Sequence, residues 1–483
     1  MKTIFHRRRW FARPRTLVGL AFVMFGAMLA GCTTPDLPAP IPVQAGPPTS
    51  APPAAATAAA TPTPAPVTLR YAFWDARQAP AYAACAEQFM AQHPHITVVI
   101  EQTDWPEYWD KLAADLAATA GPDVFVNHTT RLPDLAAGGH LVDIQPLVER
   151  DGIDDTIYLR RLPRLWIRAG QRFGLPKDWD AIALVYNKQL LDAAGVTAAE
   201  MNALDWNPDD GGSFEQMLAR LTVDTAGANA LSPTFDAQHV AHYGLTMADS
   251  DGGGAYGHQQ WSYLAASNGF RFIDYLYADR YHYDDPTLIA TLAWYQRLIN
   301  EQGFHTPFAQ IAEQDGRQLF LEGKAAVIAD GSWMISQYVN DAPFEVGFAR
   351  LPVGPQGRKS MFNGLADSIW SGTAHPEEAW LWVQHLGSVA CQLTVGDHAV
   401  TFPALQSGVD RMIAHYAAQG IDVSAYTAQV LEEDGLFFFP VTEHATEIVA
   451  IMQPVIEAIL RGEADPASVL PAANDQVNAL FAQ

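Results

Sequence analysis

The sequence predicts an α/β fold, and two features carry that prediction. From Val67 onward, stretches in which apolar and polar residues alternate are followed by stretches with the apolar spacing of a helix. Proline or glycine separates these stretches, as at Pro94 and at residues 121–122. Strands that alternate with helices form parallel β-α-β units, whose ligands lie beyond the carboxyl ends of the strands. We therefore expect functional residues directly after each strand.

The first elements can be placed from these patterns. We expect strands at residues 67–74, 96–102 and 123–127, and helices at residues 79–93 and 107–119. The third strand, DVFVN, is short and mostly apolar, which is typical of a strand buried on both faces.

Residues 1–32 have the pattern of a bacterial export signal. The apolar run at residues 17–29 follows a basic start and is too short to span a bilayer as a mature helix. It ends in Leu29-Ala30-Gly31-Cys32, which resembles the lipobox in which the cysteine becomes the lipidated first residue. We therefore expect an extracytoplasmic protein attached to the bacterial cell membrane through Cys32. Arg8 and Arg9 also resemble a twin-arginine signal, so the Sec and twin-arginine routes both stay open.

Residues 33–66 consist mainly of Pro, Ala and Thr, and they show no periodicity from which a core could form. We expect a disordered tether, which in polyproline II conformation could reach about 100 Å from the membrane. The whole chain has 53 acidic against 29 basic residues, a formal net charge of −24. This balance argues against nucleic acid as a partner. Beyond Cys32 only Cys85 and Cys391 remain, and the sequence leaves open whether they form a disulfide.

Aromatic and hydrogen-bonding residues recur at the ends of the predicted strands. Trp74-Asp75 ends the first strand, Asp104-Trp105 and Trp109 follow the second, and Asn127-His128 ends the third. A sugar ring presents apolar faces and a rim of hydroxyl groups, so its binding site needs aromatic rings beside polar groups. The set therefore predicts a sugar-binding site, although any single tryptophan is more often a core residue.

Several separated motifs resemble the family 1 extracellular solute-binding proteins of carbohydrate ABC importers. In chain order they are FGLP at 173–176, ALVYNKQLL at 183–191, AGV at 194–196, SFEQM at 213–217, FLEGKAA at 320–326, DGSW at 330–333, LPVGP at 351–355, HPEEAW at 375–380 and GEADP at 462–466. A Gly-rich insertion at residues 209–212 replaces the usual Thr-Trp before the fourth motif. The motifs lie between residues 173 and 466, and we take the resemblance to cover residues 67–483.

The resemblance implies a type II periplasmic-binding-protein fold with two lobes, each a mostly parallel sheet flanked by helices, and a ligand in the cleft between them. We place the N-terminal lobe at residues 67–181 and 360–400 and the C-terminal lobe at residues 182–359 and 401–483. Closure is then a hinge motion that the ligand stabilises from both lobes. The implied partners are a small-molecule sugar, a neutral mono- or oligosaccharide, together with the permease subunits of the importer and the membrane. We expect the protein itself to be a monomer.

Other candidates lie near the boundaries where the chain passes from one predicted lobe to the other. In the C-terminal lobe, the candidates Tyr256, His258, Gln259 and Trp261 follow a glycine loop. Trp179, between two aspartates, is expected to be exposed in the empty protein. The predicted ligand-binding residues are Trp74, Asp75, Asp104, Trp105, Trp109, Asn127, His128, Asp178, Trp179, Asp180, Tyr256, Gln259, Trp261, Trp333, Asn363 and Gly364.

Other classes of function are less well supported. The chain lacks His-Glu-x-x-His, Gly-x-Ser-x-Gly and Cys-x-x-Cys motifs, and no P-loop lysine follows Gly252–Gly254. We therefore expect no catalytic residue, metal or cofactor. The alternatives are a glycosidase-like enzyme that uses Asp178 and Asp180, or a binding protein for a phosphorylated polyol or a polyamine.

Overall fold

The computed structural model describes residues 64–159, 162–248, 253–432 and 434–482. The predicted export signal, Cys32 and nearly all of the predicted tether lie outside the described residues. The strands are β1 (Val67–Phe73), β2 (Ile96–Gln102), β3 (Val124–His128), β4 (Ile167–Arg168), β5 (Gln171–Arg172), β6 (Leu175–Asp180), β7 (Ile182–Asn187), β8 (Val223–Asp224), β9 (Val240–Met247), β10 (Ala325–Gly331), β11 (Val346–Ala349), β12 (Ser360–Ile369), β13 (Phe402–Pro403) and β14 (Leu436–Phe438).

Helices surround these strands. They are α1 (Ala79–Gln92), α2 (Trp105–Ala117), α3 (Leu132–Ala137), α4 (Gln145–Asp151), α5 (Lys188–Ala193), α6 (Ala198–Asn202), α7 (Gly212–Leu221), α8 (Ser262–Ser267), α9 (Pro286–Arg297), α10 (Phe308–Gln314), α11 (Gly316–Leu321), α12 (Ile335–Asp341), α13 (Pro376–Leu386), α14 (Val389–His398), α15 (Gln406–Ala417), α16 (Ser424–Leu431), α17 (Ala445–Leu460) and α18 (Pro466–Ala479). No helix in the described ranges is long and apolar enough to cross a membrane.

The first sheet has seven strands in the order β13-β6-β12-β3-β1-β2, with β14 paired to β12. β2, β1 and β3 run parallel, as the alternation of strands and helices predicted. The long strand β12 is antiparallel to both β3 and β6. All five residues of β3 are buried, in agreement with its apolar sequence. α1 and α2 each have a proline in the first turn. Backbone N–H groups there have no partner within the helix, so the missing N–H of proline costs no hydrogen bond.

The second sheet has five strands in the order β11-β7-β10-β9-β8. β9 and β10 are parallel, whereas β7 is antiparallel to both β10 and β11. Strand directions are thus mixed in both sheets, where we expected mostly parallel pairing. The reason is topological. β7 and β12 each enter their sheet directly from the other sheet, and each runs antiparallel to both of its long neighbours.

The chain passes between the sheets at three places. Ala181 alone separates β6 from β7, and its N–H and C=O both bond to Ser332, at 3.3 and 2.9 Å. The second passage leads from β11 to β12, and there Ser360 Oγ accepts a bond from Ile182 N–H at 2.8 Å. The third follows β14, because α17 packs in the core of the second sheet. The lobe boundaries remain a prediction. We expected residues from 401 onward to belong to the C-terminal lobe, but β13, which begins at Phe402, pairs in the first sheet.

A disulfide joins Cys85 in α1 to Cys391 in α14, with the two Cα atoms 5.2 Å apart. This answers the question that the sequence left open. Both cysteines are buried in the hydrophobic cluster that covers one face of the first sheet. A second cluster includes Trp179 and Phe362 of the first sheet together with Val185 and Ile328 of the second, so the two sheets share apolar packing at the passages.

Candidate functional site

Three tryptophans form a cluster at the carboxyl ends of β1 and β2. The ring of Trp74 lies 4.9 Å from that of Trp105 and 5.6 Å from that of Trp109, and the rings of Trp105 and Trp109 are 5.5 Å apart. All three are only partly buried. The guanidinium group of Arg131 lies over the ring of Trp109 at 5.3 Å. The strand ends thus bring together the aromatic residues that the sequence predicted.

His128, at the end of β3, continues this aromatic surface with its ring 5.7 Å from Trp105. Both of its ring nitrogens are engaged by the protein. Asn363 Nδ2 donates to Nε2 at 2.8 Å, and Nδ1 lies 2.7 Å from Thr130 Oγ1. The Asn363 amide orientation is fixed because Gly364 N–H and Thr129 Oγ1 both donate to its oxygen. Burial lowers the pKa of His128 to about 3, so this ring is neutral at pH 7.

Residues that follow β9 and β10 form the facing surface from the second sheet. The ring of His258 lies 5.1 Å from Trp333, which comes directly after β10. Phe439 lies between the two surfaces: its ring is 5.0 Å from His258, 5.0 Å from Tyr256 and 5.9 Å from His128. A continuous series of aromatic contacts therefore connects the tryptophan cluster of the first sheet with Trp333 of the second.

His258 differs from His128 in its hydrogen bonding. Its Nε2 atom is buried and has no hydrogen-bond partner among the described residues. Burial lowers the pKa of His258 to about 4, opposed by the carboxylate of Asp330. The ring is therefore neutral at pH 7, with one unused nitrogen.

The acidic residues of β6 are held inside the protein. Asp178 is fully buried and forms an ion pair with Lys177 at 2.5 Å. Asp180 accepts a hydrogen bond from Ser332 Oγ at 2.9 Å. Burial first, and the Asp178 carboxylate second, hold the pKa of Asp180 well above its ordinary value. Nearer the tryptophan cluster, Asp75 accepts bonds from Arg77 N–H and Gln78, which orders the turn after β1.

The prediction that Trp179 is exposed is wrong. Only 1% of its surface is accessible, and its ring is stacked between Phe402 and Phe362. β6 is an interior strand with β12 and β13 on either side, so an aromatic residue here packs against its neighbours even though aspartates flank it. Sequence alone could not reveal this, because β13 lies far along the chain.

Several other predicted residues are also engaged by the protein. Trp261 is fully buried and donates to Gly254 C=O at 3.3 Å, and Asn127 donates to Ser368 Oγ at 3.1 Å. Asn363 and Gly364 lie in strand β12. Gly364 is required for packing, because a Cβ atom there would lie 2.5 Å from Leu162. Asp104 is exposed and accepts from Gln102 at 2.8 Å, and Gln259 is buried.

Phe439 and Arg131 were missed at the sequence level. Phe439 belongs to the run LFFFP at residues 436–440, which reads as an ordinary apolar segment. Arg131 follows the third predicted strand closely, so extending the strand-end search by three residues would have found it.

The architecture, two mixed sheets joined by three passages of the chain and connected by aromatic contacts, is that of an α/β binding protein. The chain belongs to the family of bacterial extracellular solute-binding proteins, whose family model matches residues 74–392. Members of this family act outside the cytoplasm.

Individual relatives agree with this assignment. The maltodextrin-binding protein MdxE of Bacillus subtilis (strain 168) is 24% identical over 302 residues, which are 61% of this chain and 63% of MdxE. UspC of M. tuberculosis is 28% identical, with a TM-score of 0.69 over 85% of this chain and 99% of UspC. Lmo0181 of Listeria monocytogenes, an ABC substrate-binding protein solved with cycloalternan, is 18% identical, with a TM-score of 0.73 over 86% of this chain and 99% of its own. The fold is the type II periplasmic-binding-protein fold.

Proposed function

We propose that this protein captures a neutral mono- or oligosaccharide outside the cell membrane and delivers it to an ABC importer. The observation that carries the proposal is the tryptophan cluster formed by Trp74, Trp105 and Trp109, which aromatic contacts connect to Trp333 across the two sheets. Aromatic rings that remain partly accessible suit the apolar faces of sugar rings.

The charge of the site supports a neutral ligand. The rings of His128 and His258 are both neutral at pH 7, since burial lowers their pKa values to about 3 and 4. The cation Arg131 lies over the ring of Trp109, and it donates to Thr446 at 3.2 Å. A phosphate group would find no pair of free cations among these residues. The likeness to a maltodextrin-binding protein favours a glucose oligomer.

Delivery requires that the permease distinguish the loaded protein from the empty one. The three passages between the sheets would serve as a hinge, with the ligand holding the two lobes together. The first two passages, at Ala181 and before Ser360, support our placing of lobe boundaries at residues 181 and 360. We place the third after Phe438 rather than near Thr401, because β13 and β14 both pair in the first sheet.

The remaining features concern location. Lipidation at Cys32 would anchor the protein to the membrane, and residues 33–66 would let the binding domain move near the permease. The protein would act as a monomer, because capture and closure need only one chain.

A thermal-shift screen tests the proposal. The full lipidated chain is held in a detergent without a sugar headgroup and mixed with maltose, maltotriose, glycerophosphocholine or spermidine. A ligand that binds only the folded protein stabilises it by about 2.7 kcal/mol at a concentration of 100 Kd, which raises the midpoint temperature. We expect a shift with a maltose oligomer. A shift with glycerophosphocholine or spermidine and with no sugar would contradict the proposal.

A further inference from the structure

We infer that His258 is a specificity-determining residue whose Nε2 atom hydrogen-bonds a hydroxyl group of the ligand. The inference rests on the proposed function, since it assigns a role within the same site. It concerns a single atom that has no hydrogen-bond partner within the described residues.

The two histidines of the site differ in what they can offer a ligand. His128 has both nitrogens engaged, by Asn363 and Thr130, so it presents only its ring. His258 has the same aromatic surroundings, but its buried Nε2 has no partner in the described part of the chain. A buried polar atom without a hydrogen bond is costly, and one that lies beside a ligand site can recover that cost by bonding the ligand.

The position of His258 places its ring beside the proposed ligand site. The imidazole ring contacts Trp333 at 5.1 Å and Phe439 at 5.0 Å, and Phe439 in turn contacts His128. His258 therefore lies within the series of rings that joins the two sheets. A ligand held between those rings would come within reach of the imidazole edge.

The surrounding charges define the chemistry of the partner. Asp330 and Arg317 form a two-bond ion pair, at 2.7 and 3.0 Å, and Tyr338 donates to the same carboxylate at 2.6 Å. These groups satisfy one another and leave His258 neutral. Arg131 lies beside His128 at the end of β3 in the first sheet, and its charge helps to keep the His128 ring neutral. A neutral imidazole nitrogen suits a hydroxyl group, which can both donate and accept, and it offers a phosphate no charge.

Three variants of the full chain test the inference, with maltotriose titrated calorimetrically. His258→Phe keeps a ring between Trp333 and Phe439 but removes both nitrogens, and we expect it to weaken binding by about tenfold or more. His258→Gln replaces the imidazole by an amide that can still hydrogen-bond, and it should lose clearly less affinity. His242→Phe is the matched control, because His242 also has a buried unpartnered nitrogen but lies at the opposite end of β9.

Stability separates a ligand role from a structural one. Since His258→Phe removes a buried unpaired nitrogen, its midpoint temperature without ligand should equal or exceed that of the wild type while its affinity falls. Wild-type binding should be constant from pH 8 to pH 5 and weaken as the pH approaches 4, where His258 gains a proton. If the wild type binds maltotriose and His258→Phe binds it equally well, the inference is wrong. If the wild type binds no sugar, the proposed function fails instead.

Discussion

The indole ring of Trp179 is stacked on the phenyl ring of Phe402, with ring centroids 4.6 Å apart and planes inclined by 8°. This contact joins β6 to β13 in the first sheet, close to the first passage between the sheets. Trp179→Ala should therefore lower the free energy of unfolding by about 3–5 kcal/mol, as expected for a buried tryptophan. Urea unfolding measures the change. Leu231→Ala, at a side chain that is 61% exposed, is the control and should leave the midpoint unchanged.

Trp105 should behave in the opposite way. Its ring contacts Trp74, Trp109 and His128 but remains partly accessible. We expect Trp105→Ala to weaken maltotriose binding by about 1–3 kcal/mol, the range of an aromatic hot spot, with little change in unfolding. Calorimetric titration checks the affinity, and Tyr275→Ala, at a side chain that is 67% exposed, serves as the control. Equal affinities for wild type and Trp105→Ala would exclude the tryptophan cluster from the site.

The disulfide between Cys85 and Cys391 should contribute to stability. Its loss frees two segments that are 306 residues apart in the chain, so the unfolded state gains conformational freedom. We expect the double variant Cys85→Ala/Cys391→Ala to lose about 2–5 kcal/mol in urea unfolding. Dithiothreitol should lower the wild-type midpoint and leave that of the variant unchanged. A reductant effect of equal size in both proteins would show that the bond is not the cause.

Asp367 should make stability depend on pH. Burial raises the pKa of Asp367 to about 7, although Lys177 and the Tyr71 hydroxyl group oppose the shift. The folded state therefore holds this proton more tightly than the unfolded state, whose aspartate pKa is about 3.9. The stabilising contribution is present below about pH 4 and is lost as the pH rises through about 7.

The variant Asp367→Asn isolates this effect. Its stability relative to wild type should increase between pH 4 and pH 7 and then level off, as urea unfolding at a series of pH values would show. Asp110→Asn, on the exposed face of α2, is the control. A stability difference for Asp367→Asn that does not vary with pH would contradict the assignment.

Lipidation at Cys32 can be tested by metabolic labelling in a bacterial host. The wild-type chain should incorporate an alkyne-labelled fatty acid, whereas Cys32→Ala should not. The double variant Cys85→Ala/Cys391→Ala is the control for labelling at other cysteines and should be labelled as strongly as the wild type. Label in the Cys32→Ala protein would rule out the predicted lipobox.

The local elements could be predicted from the sequence because their signals are local. β1, β2 and β3 begin and end within a residue of their predicted positions, and their carboxyl ends bring Trp74, Trp105 and His128 together as expected. The ends of neighbouring parallel strands share one edge of a sheet, so this part of the site follows from strand order alone.

Features that depend on distant pairing could not be predicted. The aspartates beside Trp179 indicated an exposed setting, but Phe402, more than two hundred positions later, covers its ring. The engagement of His128 by Asn363 likewise depends on β12 lying beside β3. These contacts depend on the order of the strands in the sheet, which the local residue pattern does not predict.

The strand order of the first sheet also governs how the protein can fold during synthesis and export. β12 lies between β3 and β6, although more than two hundred residues separate β3 from β12 in the chain. A nascent chain that has emerged only as far as β11 has β1, β2 and β3 but nothing to bridge them to β6. The sheet can be completed only when β12 arrives, late in translation. The first sheet can therefore form only after most of the chain has been synthesised, so its early strands stay without their final partners until then.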